Sequence, residues 1–472
     1  MKKIKTRLAL TFFCLCLLLL SAQSGLAQNT AAAAQNPSNA DESANSTVIY
    51  TADSFSQYNP ITASDMLDRI PGISLRGGGP GSGRGDRGLG TGGNLLINGQ
   101  RIAGKGNSSR DQLDRITAAE VERIEIIRDT SGALNVRGAS EVINVILLAS
   151  QSRSSTTVEL VNRLNHDNTL ETGGSVAWSK QVGNFQALVN LEARPNYENR
   201  DNREVRLGPD NEVVGTLFET NIRDQQENTL SSNMSYSLGD HRMQLNALIR
   251  EGDHPRPVRR DFVDFTDAGL VNRSEEEDVN REESNWEVGG DYEFSFDDGS
   301  RLSVLFVANN EIRNNVRERY SANPAEEGLS KNLFIDSRQE RQEFIIQGNY
   351  NFSITETQSL RVGIESADTQ LDSSLLIGSS SGSEPASASV GGLSPLLSVS
   401  NPGTKVQEIR YEGFAFHNWT LSDRSSLESS LVYETSEISQ TGAVNKTRDF
   451  QFWRLLSTTA SILQKIFASA AP

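Results

Sequence analysis

Residues 185–193 read Phe185-Gln186-Ala187-Leu188-Val189-Asn190-Leu191-Glu192-Ala193. Phe185, Ala187, Val189, Leu191 and Ala193 take every second place, and Gln186, Asn190, Glu192 and then Arg194 hold most of the places between. Successive side chains of a strand point to opposite faces, so the spacing describes a strand with one apolar and one polar face. The pattern returns at Met243, Leu245, Ala247, Ile249, at Trp286, Val288, Tyr292, Phe294, Phe296, and at Leu302, Val304, Phe306, Ala308. It fits again at Phe344, Ile346, Tyr350, Phe352, at Leu360, Val362, Ile364 and at Leu427, Leu431, Tyr433.

The connections alternate in length. Short turns fall at Val182-Gly183, Leu238-Gly239-Asp240, Asp297-Asp298-Gly299, Thr355-Glu356-Thr357 and Ser422-Asp423-Arg424. Long polar segments near 200–228, 252–283, 313–341 and 370–405 separate them and read as loops. Tight turns at one end and long loops at the other are the layout of an outer-membrane β-barrel. A soluble sandwich is the competing reading, with shorter strands and less lopsided loops. In a barrel, Phe185, Val189, Leu245, Ile249, Val304 and Phe306 face lipid.

The N-terminus supports export. Lys2, Lys3, Lys5 and Arg7 precede the apolar run Leu8–Leu20, and Gly25-Leu26-Ala27 offers small residues for cleavage, so residues 1–27 read as a signal peptide. The apolar run is shorter than the roughly 20 residues that span a bilayer as a helix. Both cysteines, Cys14 and Cys16, lie inside it, which leaves the mature chain without thiol or disulfide chemistry. Losing four cations takes the net charge from −16 to −20, which argues against a nucleic-acid partner.

Residues 28–46 carry no aromatic or branched apolar side chain and read as a flexible periplasmic leader. Residues 47–150 read as a small α+β unit. Its strand-like runs are Thr47–Thr51, Asn94–Ile97, Val121–Arg128 and Glu141–Leu148, and short helices fit Thr62–Arg69 and Ser109–Ile116. Thr62 or Ser64 caps the first helix, and Pro71-Gly72 stops it.

Apparent enzyme motifs lack their structural context. Gly83-Arg84-Gly85-Asp86-Arg87-Gly88 matches a dinucleotide fingerprint in letters, yet it lies in the glycine-saturated stretch Gly77–Gly93, without a flanking strand and helix. Gly99–Gly106 nearly spells a phosphate-binding loop, but Gly106 stands where a hydroxyl must reach magnesium. His166, His241, His254 and His417 have no metal-ligand spacing, and Glu275-Glu276-Glu277-Asp278 reads as a solvated run. We therefore expect no enzyme activity, catalytic residue, metal or cofactor.

Four segments in order carry a resemblance. Thr62-Ala63-Ser64-Asp65-Met66-Leu67-Asp68-Arg69-Ile70-Pro71-Gly72-Ile73 pairs a short helix with a Pro-Gly turn. Asn94-Leu95-Leu96-Ile97-Asn98-Gly99-Gln100-Arg101 is a strand and turn, Val121-Glu122-Arg123-Ile124-Glu125-Ile126-Ile127-Arg128 is a strand, and Gly138–Ile146 closes the unit. Together they resemble the plug domain of TonB-dependent outer-membrane receptors, over about 90 residues. The resemblance implies a mainly β chain: a small α+β plug at 47–150, then antiparallel transmembrane β-barrel strands from 151 to 454. It also implies a Gram-negative outer-membrane receptor that admits a large scarce solute to the periplasm with energy from TonB and its inner-membrane complex. The transported ligand is not legible, and outer-membrane lipid and the barrel-assembly machinery are the other implied partners. Arg76, Arg84 and Arg87, on an upper plug loop, are candidate contacts for an anionic ligand. Thr47, Val48 and Ile49 resemble a TonB-contacting segment, although the first plug strand is the favoured reading for them. A surface-binding or adhesion protein without transport is the alternative function, and a non-functional receptor fragment is another.

One strand at Thr156–Leu164 and two around each of five short turns make eleven strands, about half of an expected 22-stranded barrel. A further strand starts at Arg448–Arg454. From Leu455 the apolar residues Leu455, Leu456, Ile462, Leu463, Ile466 and Phe467 take helical spacing, so residues 455–472 read as an aberrant tail, out of frame, on a chain truncated at its C-terminus.

Overall fold

The computed structural model describes residues 47–70, 73, 95–99, 113–114, 116–127, 142–148, 152–322, 328–422, 425–442 and 444–461. Residues 1–27 and 28–46, expected to be a signal peptide and a leader, lie outside these, as do the glycine-rich stretch and residues 462–472.

The N-terminal unit builds a four-stranded sheet from β1 (Thr47–Thr51), β2 (Leu95–Ile97), β3 (Val121–Ile127) and β4 (Val142–Leu147), in the order β1-β3-β4-β2. All four expected strands form, within a residue of their predicted ends. Helix α1 (Ala63–Leu67) starts where Thr62 predicts: its hydroxyl accepts from Asp65 N and the Asp65 carboxylate accepts from Thr62 N, a closed capping box. Phe55, Met66, Leu113, Ile116, Ile124 and Ile143 form the buried core beneath the sheet. Of the second expected helix, only residues 113–114 and 116 are described.

Among the described residues, those from 152 onward build one antiparallel sheet. Its strands are β5 (Ser152–Leu164), β6 (Leu170–Val182), β7 (Phe185–Leu207), β8 (Val213–Leu238), β9 (His241–Thr266), β10 (Gly269–Ser295), β11 (Arg301–Ala322), β12 (Leu329–Thr355) and β13 (Gln358–Ser379). Then come the two-residue β14 (Ser394–Pro395), β15 (Asn401–Ser422), β16 (Ser425–Gly442) and β17 (Lys446–Ser461). Each pairs with its chain neighbour from β5 to β17, with β14 attached beside β13. The five predicted short turns fall between β6 and β7, β8 and β9, β10 and β11, β12 and β13, and β15 and β16. At the second, Gly239 adopts φ +56°, which glycine takes without steric cost.

The two faces of the sheet separate as the alternation predicts. Leu188 packs against the core of the N-terminal unit, which defines the inner face. Phe185, Val189, Leu245, Ile249, Val304 and Phe306 lie on the other face, where Leu245 and Ile249 are about half exposed. Near the short turns that outer face carries a chain of rings: His241, Tyr292, Phe294, Phe296, Tyr350 and Phe352, with neighbouring centroids 4.7–6.0 Å apart. Bands of aromatic side chains at this level are typical of barrels at a membrane interface.

Two expectations are corrected. Most of the long polar segments are strand rather than loop. β8 runs 26 residues and β10 runs 27, roughly 85–90 Å of chain at about 3.3 Å per residue, against an apolar band of about 25 Å. Beyond the band both faces are polar, so periodicity vanishes from the sequence while the backbone ladder continues. Among the described residues only 380–400 form a long irregular connection, in which a 3-10 turn at Ala388–Val390 buries Val390 beside Gly378 and sets Gly391 against Phe334. The second correction concerns residue 455 onward: β17 continues to Ser461, with Leu455 opposite Leu431 and Ser461 opposite Ser425. Pairing with β16 makes these residues strand, although their apolar spacing also fits a helix.

Candidate functional site

Three of the motifs meet at one buried amide. Asn144 on β4 donates from Nδ2 to Glu125 Oε2 on β3 at 2.8 Å and accepts from Gly99 N at 2.8 Å. Asn98 Oδ1 accepts from Leu147 N, also at 2.8 Å. Asn98 and Gly99 have φ +52° and +76°, a turn that needs this Asn-Gly pair. Glu125 in turn accepts from Arg123 Nε at 2.8 Å, and that hydrogen bond holds the guanidinium pKa above its usual value. A buried polar residue must be paired, and Asn144, 5% exposed, is paired on both sides. The described contacts of Arg123 and Glu125 lie within the unit.

The wall is reached elsewhere. Glu120 closes a second capping box, accepting from Thr117 N and Oγ1 with Oε2, and its Oε1 accepts a hydrogen bond from Ser179 Oγ on β6. A cavity of about 340 Å³ opens beside this contact, between Asn98, Glu120 and Leu147 on the unit and Gln186, Asn233 and Gln244 on the wall. Nothing in the sequence marked Glu120 for this, because its capping role accounts for it.

Thr47, Val48 and Ile49 form β1, paired with Ile127, Ile126 and Glu125 of β3, as the favoured reading had it. β1 ends the sheet order, and Ile49 is 56% exposed. Arg76, Arg84 and Arg87 lie outside the described residues.

The inner face beyond the apolar band carries a ladder of ion pairs that sequence reading missed. Arg260 on β9 reaches Glu219 on β8 at 2.7 Å and Glu275 and Glu277 on β10 at 2.8 and 3.0 Å. Arg317 on β11 reaches Glu277 at 2.8 Å. Burial raises the Glu277 pKa, but the bonds from Arg317 and Arg260 outweigh it and leave the carboxyl below the usual range. The run Glu275–Asp278 thus splits between the faces: Glu276, which meets Arg259 at 3.7 Å, and Asp278 are exposed, whereas Glu275 and Glu277 point inward.

The family model described as TonB-dependent Receptor Plug Domain matches residues 39–142. No curated protein matches the chain. Among solved structures, the ferric yersiniabactin uptake receptor FyuA from Yersinia pestis is 9% identical, with 88% of this chain and 79% of that one covered and a TM-score of 0.29. The ferric enterobactin receptor PfeA from Pseudomonas aeruginosa is 12% identical over 90% of this chain and 93% of that one, with a TM-score of 0.27. The ordered motifs and the four-stranded sheet they build overlap the matched span, so this part of the chain is similar to the plug domain of TonB-dependent receptors.

Proposed function

We propose that the chain takes up a large, scarce solute across the outer membrane, with TonB supplying the energy by drawing on the plug through β1. The observation that carries this is the position of β1. It is an edge strand of the plug sheet, hydrogen-bonded to β3 on one side. An edge strand can accept a partner strand or be peeled away one ladder bond at a time. Pulling there loads β3, which holds Glu125 and so the junction at Asn144. The plug meets the wall by single exchangeable contacts such as Glu120 to Ser179, which suits a domain that loosens on demand. Outer-membrane lipid would cover the apolar outer band, the barrel-assembly machinery would insert it, and Arg76, Arg84 and Arg87 would meet the solute from the plug.

The test is capture of TonB's periplasmic domain by the full chain in detergent. Wild type should bind, and Ile49→Pro, which removes a ladder N–H, should bind at least tenfold more weakly. A properly folded wild type that captures no TonB would leave the energy-coupled reading without support and favour surface binding without transport.

A further inference from the structure

The inner wall contains a break in its hydrogen-bond ladder, at His254-Pro255-Arg256-Pro257 on β9. Proline cannot donate to a ladder and is rarely found inside a sheet. On the β10 side the register runs through both prolines without interruption, Pro255 opposite Asn280 and Pro257 opposite Asp278. On the β8 side pairing stops at Asn221 opposite Val258 and resumes at Gln226 opposite Asp253. The register is the same on both sides of the gap, so no residue is inserted. Arg223 therefore stands opposite Arg256, and Gln225 opposite His254.

Two like charges directly opposite each other destabilise a sheet unless something neutralises them. Arg223 has Glu198 at 3.4 Å. Arg256 donates from Nε to Asn221 Oδ1 at 3.0 Å and, among the described residues, has no carboxylate partner. Its neighbour Arg260 has three. Asn221 is 6% exposed and holds the Arg256 side chain by Nε, which leaves the two terminal nitrogens, each able to donate to an anion. The His254 ring nitrogens are buried without a hydrogen bond, and the nearest carboxylate oxygen, on Glu283, lies 3.9 Å from Nε2. Gly252 makes room for that ring: a Cβ there would sit 2.5 Å from His254 Nε2. Arg281, opposite His254 on β10, is committed to Glu283.

We propose that this gap is an anion-binding site, in which Arg256, faced by Arg223 and flanked by His254, grips a carboxylate or phosphate group of the solute. The site lies on the inner face, away from lipid, seven residues beyond Ile249, the last apolar residue of the outer band on β9. It rests on the uptake reading for the nature of the molecule bearing the anion. An anion between the two guanidinium groups removes their repulsion, which gives the gap a reason to persist among neighbouring inner arginines, Arg260, Arg281, Arg313 and Arg317, that each meet a glutamate.

The full chain in detergent, titrated calorimetrically at low ionic strength with malonate and separately with inorganic phosphate, tests the site. Saturable binding of either anion by wild type is expected, and the anion that binds assigns the class. Arg256→Gln should weaken it at least tenfold, and Arg256→Lys, which keeps the charge but loses the fork, should fall between. Arg259→Gln makes the same charge change on the exposed outer face and should bind as wild type does. Equal losses in Arg256→Gln and Arg259→Gln, or no saturable binding of either anion by a folded wild type, overturn the site. TonB capture separates the two readings: a chain that captures TonB but binds neither anion loses only the site, whereas one that binds anion through Arg256 but captures no TonB loses only the coupling.

Discussion

The two ends of β8, β9 and β10 show what one backbone can carry. Near the short turns the outer face presents Met234 and Tyr236, Leu245 and Ile249, Tyr292 and Trp286. Further along, the same face of the same strands presents Asp224, Glu251, Asp253, Glu276, Asp278 and Glu282, all exposed. Asp253 stands opposite Glu282, and Asp278 opposite Glu318. Each such like-charge pair costs up to about 1 kcal/mol, which the outer face offsets only in part, through Arg259 at 3.7 Å from Glu276 and Lys331 at 2.6 Å from Glu318. The continuous ladder and the inner ion pairs hold this region together. The difference teaches that the ladder makes the strand, while the outward side chains select the medium it lies in.

If that division is right, the deepest damage should come from the inner face of the membrane part. Glu365, Glu412 and Glu434 lie directly across from one another on β13, β15 and β16, and the Arg410 guanidinium, with a side chain 4% exposed, bonds the first two. Arg410→Met should cost about 3–5 kcal/mol, because it removes the guanidinium between buried Glu365 and Glu412 and leaves Arg454, on Glu412 and Glu434, to offset them. Urea unfolding of the bilayer-reconstituted protein measures this. A loss below about 1 kcal/mol would mean that the network is solvated and the wall there is open.

The outer faces provide the next contrast. Val304→Asp should impair membrane assembly, since a charge near the bilayer midplane costs about 2–4 kcal/mol for Arg or Lys and somewhat less for Asp. Ser284→Asp, on the outer face of β10 beyond the apolar band, should assemble as wild type does. Heat-modifiable migration of the folded form reads both, and equal tolerance would erase the boundary between the two ends.

Acid should produce the smallest effect, and only in the upper strands. The Glu277 carboxyl is held low by Arg317 and Arg260 against its burial, and Glu318 is held low by the Lys331 ammonium at 2.6 Å. A depressed carboxyl contributes stability that is present above its unfolded pKa of about 4.3 and is lost as pH falls through the folded value. Hydrogen exchange, corrected for intrinsic rates, should therefore loosen the far ends of β8 to β11 below about pH 4 and leave the apolar band protected. Uniform loosening would show that the ion pairs do not stabilise that region separately.

The plug was legible because its motifs are local. Thr62 and Asp65 close a cap three residues apart, Asn98-Gly99 is a turn in itself, and strands β3 and β4 are short apolar runs between breakers. The membrane strands were legible because one medium is apolar and the other is not, which writes period two into the sequence. The upper strands were not, because solvent on both sides leaves no period to read. The candidate site was harder still. Arg256 looks like any arginine in a charged stretch, and its isolation follows from which residues of β8 and β10 come opposite it. The Pro-Arg-Pro spelling was the one signal available, and without a register it argues for a loop.

Taken alone, the sequence determined the plug, the alternation that turns lipid-facing residues outward, and the short turns that fix how consecutive strands meet, because each depends on residues close in the chain. Only the tertiary structure decided how far the strands continue, which of Glu275, Glu276, Glu277 and Asp278 are paired, and that Arg223 meets Arg256 across an opened ladder. Those outcomes depend on partners 15 to 40 residues away, and a charge carries no mark in the sequence of the one it will face.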